Sequence, residues 1–167
     1  MHHAEENAAE VLSQILKQQI TEQSVILCVG TDRCIGDALG PLVGTMLMER
    51  NFRFPVYGTL DEPVHAINLL KSVKEVQASH PNSFIIAVDA CLGDENLIGN
   101  IHIKQGPIFP GKGVGKKLPG IGDLSVVGIV DKINQDDCLA IHNIRLSLIR
   151  NMAQVIADAF MLATYLS

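Results

Sequence analysis

The chain has 167 residues, 13 of them basic and 18 acidic, for a formal charge of −5. That length fits one globular domain spanning 1–167, and the acidity weighs against nucleic acid as a partner. Hydrophobic residues reach 47% while aromatics are 4% with no Trp, which excludes disorder and points to an aliphatic core of the kind found in a sheet buried between helices.

Ala4 to Gln19 carries apolar groups at Ala8, Val11, Leu12, Ile15 and Leu16, the spacing of an amphipathic helix. Val25 to Val29 is a short β-branched apolar run, expected to be a strand buried on both faces and ended by Gly30. The loop Thr31 to Asp37 leads into a predicted helix over Ala38 to Arg50, with Asp37 as a plausible N-cap and Pro41 tolerated only in the first turn. Phe54 to Gly58 reads as a second strand. Ala66 to Gln77 reads as a helix with Ile67, Leu70, Val73 and Lys74 marking its faces. Phe84 to Val88 is another strongly apolar strand, closed by Asp89. Ile98 to Lys104 is an expected strand, Gln105 to Asp123 a long Gly- and Pro-rich loop, Leu124 to Val130 a buried strand, and Ile144 to Leu166 a mostly apolar helix.

This alternation predicts a three-layer α/β fold, a twisted and mostly parallel sheet flanked by helices. No apolar run approaches the roughly 18 residues of a membrane span, and the start, Met1 to Glu6, is acidic and polar rather than signal-like. A cytoplasmic protein without a membrane partner is expected. The last helix packs either on its own sheet or on another subunit, so a homo-oligomer stays open. Cys28, Cys34, Cys91 and Cys138 form no CxxC pair; free thiols are expected, with Cys28 in a buried strand and no zinc site.

Ligands of open α/β sheets bind beyond the carboxyl ends of the strands. Asp37 follows the first strand, and Asp89 follows the Phe84–Val88 strand. Two carboxylates converging there share a proton, one activating water and the other hydrogen-bonding a carbonyl that becomes tetrahedral. The structural alternatives are an N-cap for Asp37 and a turn former for Asp89. Asp32, Asp61, His65 and Lys116 are candidate substrate-binding residues. For Asp32 an Asx-turn competes, and for Asp61 a loop or helix-start role, with Glu62 the weaker acid beside it. His65 either enters the pocket, orienting substrate or binding metal, or is a helix-start histidine bonded to backbone. Lys104 to Gly122 holds four lysines and no acid, a local +4 in a chain whose remainder is −9. It is either a solvated loop or a flap over a bound peptide. Its Gly111-x-Gly113-x-Gly115 lacks the dinucleotide-binding spacing. Cys91 has no His fixed beside it by sequence, and His80, His102 and His142 show no ligand spacing.

Gly36-Asp37-Ala38-Leu39-Gly40-Pro41 after Val29-Gly30, together with Ile86-Ala87-Val88-Asp89-Ala90, resembles the two acidic motifs of the bacterial spore germination protease family. The same framework is similar to that of the hydrogenase maturation endopeptidases, where the matching acids hold the metal of the substrate. Adding Gly58-Thr59-Leu60-Asp61-Glu62-Pro63-Val64-His65-Ala66 and Pro119-Gly120-Ile121-Gly122-Asp123, nearly the whole chain resembles the YyaC-type sporulation proteins, described as candidate spore proteases. The resemblance implies a hydrogenase-maturation-protease-like (phosphorylase/hydrolase-like) fold. It also implies a sporulation or germination peptidase with Asp37 and Asp89 as its catalytic pair, a protein or peptide substrate, and a place in the developing spore or forespore. Gly106 to Gly122 contains no His, where the maturation enzymes carry a third metal ligand, so no metal and no cofactor is expected. The germination protease is longer and made as a zymogen, which keeps open a noncatalytic protein-binding or regulatory module on the same fold.

Overall fold

The computed structural model describes residues 1–110, 119–133 and 144–165. Five strands form one sheet: Ser24–Cys28 (β1), Val56–Tyr57 (β2), Phe84–Gly93 (β3), Ile101–Gln105 (β4) and Leu124–Lys132 (β5). Their order is β2-β1-β3-β5-β4. β4 runs antiparallel to β5 and the other neighbours are parallel. Every residue of β1 is buried, as its unbroken apolar run requires.

Ala8–Lys17 (α1), Leu39–Glu49 (α2) and Leu146–Tyr165 (α4) cover one face. Leu12, Leu16, Leu39, Leu47, Met152 and Phe160 pack there on Ile26, Cys28, Ile86, Val88 and Val126. Leu69–Ser79 (α3) lies on the other face, where Leu69 and Val76 meet Val25, Leu27, Ile85 and Ala87. Ile108 and Ile121 join this second core through an antiparallel bridge at the base of the Gly- and Pro-rich segment. Asp123 staples that segment to β3, its carboxylate accepting the Ile85 N–H at 2.8 Å. The expected three-layer α/β architecture is therefore present, with three helices on one side and one on the other among the described residues.

The elements differ from expectation in instructive ways. The first helix starts at Ala8 because residues before it are tied elsewhere: His2 pairs with Asn100, and its N–H reaches Glu5. β2 is two residues long rather than five. α3 starts at Leu69, after a turn in which Asn68 Oδ1 accepts the His65 N–H at 2.8 Å. Its buried stripe is Leu69, Ser72 and Val76; Ile67 is 84% exposed and Leu70 also faces water. β3 does not stop before Asp89 but runs on to Gly93, because β5 continues beside it after β1 has ended. α4 also corrects the expectation about long apolar segments. By length and composition it would suffice to cross a bilayer, yet here it packs along α1 and α2 with Ile149, Met152, Ile156 and Phe160 buried. Arg50 closes on its Asp158 at 2.7 Å.

Truncating a fully buried aromatic of α4 leaves a cavity, whereas trimming an exposed apolar residue does not. Phe160→Ala is expected to cost about 3–5 kcal/mol and Ile67→Ala less than about 0.5 kcal/mol, both read from urea denaturation midpoints.

Candidate functional site

The chain leaves β1 toward β2 through α2 on one face and returns to β3, on the other side of β1, through α3 on the opposite face. The two connections diverge between β1 and β3. In an open α/β sheet that divergence opens a crevice at the carboxyl ends of the strands. Asp37 and Asp89 both lie at it.

Asp37 arrives on a tightly folded loop. Thr31 N–H bonds the Asp37 carbonyl at 3.0 Å, and Ile35–Asp37 forms a single 3₁₀ turn. Gly30 has φ +141°, and a Cβ there would collide with the Asp37 carbonyl oxygen. A Cβ on Gly40 would collide with the Val29 backbone. Only glycine allows the loop to close this far onto the end of β1. Asp37 is not the N-cap its position suggests: α2 starts at Leu39, Ala38 holds the cap position, and no side chain caps the helix. The reason is the 3₁₀ turn, which shifts the helix start two residues past the acid.

Asp89 is likewise not a turn former. It lies within β3, opposite Val127 of β5, one residue beyond the last β1 partner, Val88. Strand alternation places it on the face of Ile85 and Ala87, the one covered by α3. Its Oδ1 accepts the Ala90 N–H at 2.8 Å. Burial pushes the Asp89 carboxyl well above the usual carboxylate range, the charge of Asp37 pushes it further, and the Ala90 N–H opposes both. Burial also raises Asp37, to about 6, against the His65 ring and the Thr31 backbone hydrogen bond, which lower it. The two acids are therefore close enough for their charges to interact, in surroundings that favour a proton.

His65 is delivered by a short bridge, Val29 with Val64, in which Gly30 N–H bonds the Val64 carbonyl at 2.8 Å. Its Nδ1 accepts the Ile67 N–H at 3.3 Å, so a neutral ring carries its proton on Nε2. His65 is thus bonded to backbone at a turn before the helix, and its charge acts on Asp37. Asp32 is exposed, and its turn is held by Thr31 Oγ1 accepting the Arg33 N–H rather than by an Asx-turn. Asp61 is exposed and lines a groove of about 750 Å³ that also reaches His65. Asp37 and Asp89 do not line that groove. Lys116, Cys138 and His142 lie outside the described residues. Cys91, two residues along β3 from Asp89, has a thiol raised by burial and by the Asp89 charge, with Lys104 opposing, which makes it a poor nucleophile. The His80 ring meets the Tyr57 hydroxyl at 3.0 Å. Among the described residues no three His, Cys, Asp or Glu side chains gather closely enough to hold a metal ion. The groove residues Glu49, Lys71 and Glu75 were not anticipated; the one local signal was the i, i+4 spacing of Lys71 and Glu75.

Comparison with known proteins places this arrangement in context. A family model described as a protein of unknown function, DUF1256, matches residues 1–159. The uncharacterized protein YyaC of Bacillus subtilis (strain 168) is 44% identical over 153 residues, covering 91% of this chain and 75% of that protein. Among solved structures, the NiFe hydrogenase maturation protease HycI from Thermococcus kodakarensis KOD1 matches with a TM-score of 0.50 and 17% identity. The match covers 88% of this chain and 99% of that one. The expected maturation-protease-like fold is thus present.

A carboxyl whose folded pKa exceeds its unfolded one loses stabilising protonation as pH rises between the two values. For Asp37 that interval runs from 3.8 to about 6. Asp37→Asn, which cannot ionise, is expected to be about 1–2 kcal/mol more stable than the parent at pH 7.5. That advantage should shrink as pH falls through about 6 and be lost near 3.8, as read from denaturation at about pH 7.5 and about pH 4.

Proposed function

The chain belongs to the DUF1256 family, and from that premise we propose that it is a sporulation or germination peptidase in which Asp37 and Asp89 activate water against a peptide bond. The observation that carries this reading is the interaction of two carboxyls, both shifted upward, at the divergence of β1 and β3. The spore setting rests on the resemblance of the Asp37 and Asp89 segments to the germination protease motifs, and of the whole chain to YyaC-type proteins. The substrate is a protein or peptide, and the forespore is the compartment that follows.

The pair works in its singly protonated form. Asp37, the less strongly raised of the two, is the base. It takes a proton from water as the water oxygen bonds to the scissile carbonyl carbon. Asp89 gives its proton to the carbonyl oxygen, so that a neutral gem-diol forms and no oxyanion is left beside the desolvated acids. On collapse, Asp37 protonates the amide nitrogen, the C–N bond breaks, and Asp89 recovers a proton from the diol. Both acids end in their starting states. His65 stands beside Asp37 with its Nε2–H available to orient the substrate carbonyl or the water.

Incubating the protein with peptides from spore protein extracts, with products identified by mass spectrometry, tests the mechanism. Asp37→Asn and Asp89→Asn are each expected to lower kcat by at least about 100-fold. Cleavage that survives both substitutions would overturn the mechanism, and specific binding without cleavage would mark a noncatalytic module instead.

With the pair in this ionisation order, kcat/KM is expected to rise as pH passes about 6 and to fall again at higher pH as Asp89 loses its proton. The profile of Asp37→Asn should lack the acid limb.

A further inference from the structure

The groove of about 750 Å³ lies at the β2 edge of the sheet, between the end of α2 and the side of α3. Its size is in the range of built ligand sites, about 300–1,000 Å³. Its floor is a strand edge. Ile26 N–H bonds the Pro55 carbonyl at 2.9 Å, so the ladder alternates and the Val56 N–H and C=O point away from β1, toward the groove. Such an edge accepts an added strand from another polypeptide.

The walls are charged with one sign. Glu49, Asp61, Glu62 and Glu75 line the groove against a single ammonium, Lys71. Lys71 is already engaged with Glu75 at 3.5 Å. Glu49, Asp61 and Glu62 have no cationic partner among the described residues. Exposed Met48 and the Tyr57 ring offer apolar surface between these acids. His65 belongs both to the groove and to the surroundings of Asp37, so a chain lying along β2 and continuing past His65 arrives at the two acids.

We propose that this groove is the substrate cleft, and that it takes an extended polypeptide segment carrying lysine or arginine at alternate positions as an added strand on β2. The inference rests on the peptidase reading and deepens it by naming the class of segment. Alternate side chains of a strand point to one side, so a basic residue at every second position faces the carboxylates while the backbone pairs with Val56.

The test uses the full chain carrying both Asp37→Asn and Asp89→Asn, so that nothing is cut. Fluorescence anisotropy follows fluorescein-labelled ten-residue peptides of Gly, Ser and Ala with Arg at alternate positions, beside matched peptides with Glu in place of Arg. The Arg peptide is expected to bind at least tenfold more tightly than the Glu peptide. Methylating its alternate backbone nitrogens should abolish binding, and raising salt should weaken it. Glu49→Lys with Glu75→Lys should weaken the Arg peptide at least tenfold. Glu49→Gln with Glu75→Gln, a milder change at two exposed positions, should weaken it less, which separates lost charge from lost folding. Equal affinity for the Arg and Glu peptides, or affinity unchanged by both pairs of substitutions, overturns the proposal. The two readings fail separately. If the native chain cuts no peptide while this binding pattern holds, the peptidase reading falls and the groove stands. If it cuts peptides equally well with and without the Glu49 and Glu75 changes, the groove assignment falls and the peptidase reading stands.

Discussion

The arrangement depends on one steric constraint, the collapse of the segment from Gly30 to Gly40 onto the end of β1. Gly30 abuts the Asp37 carbonyl, and Gly40 abuts the Val29 backbone; neither position has room for a Cβ. With the loop closed this tightly, Asp37 cannot drift toward solvent to cap α2, and the helix starts beyond it at Leu39. The same contact zone receives Val64 through Gly30 N–H, which brings His65 alongside. Asp37 and His65 thus owe their placement to two glycines and a two-residue bridge, and Asp89 owes its own to the pairing of β3 with β1 and β5. The two carboxyls repel when both are ionised, and the packing holds them together against that repulsion.

Much of the fold was readable from hydrophobic period and length. β1, β3 and β5 announce themselves as short β-branched runs because both of their faces are buried, and the helices between β1 and β3 favour parallel pairing there. α3 shows the limit of the same signal. Residues 67, 70 and 73 and residues 69, 72 and 76 are both spaced for a helix face, and the sequence holds apolar groups in each set. Tertiary packing selects the stripe of Leu69 and Val76 and leaves Ile67 in water. The extension of β3 past Asp89 was unreadable for a different reason: a strand's end is set by its neighbours, and β5 outlasts β1.

The candidate site divides along the same line. Asp37 and Asp89 could be marked because each follows a buried strand, and a strand's carboxyl end is where open sheets bind ligands. What each acid does locally was less accessible, since the 3₁₀ turn at Ile35–Asp37 and the continuing ladder at Asp89 follow from contacts distant in sequence. The groove beside β2 showed in the sequence only through Asp61, His65 and the i, i+4 spacing of Lys71 and Glu75. Its walls come from the end of α2, the strand, the Thr59–His65 loop and the side of α3, and only the folded chain brings Glu49 within range of Glu75.

The uneven layering has a consequence for motion. Three helices seal one face of the sheet, where Phe160, Met152 and Leu39 are wholly withdrawn from water. On the other face α3 is the one helix among the described residues. Subglobal opening follows the places with the fewest buried contacts. Amide hydrogens under α3 should therefore exchange with solvent sooner than those under α1, α2 and α4. Asp89 lies on that thinner side. The molecule would breathe on the face of α3 while the opposite face keeps the sheet in register.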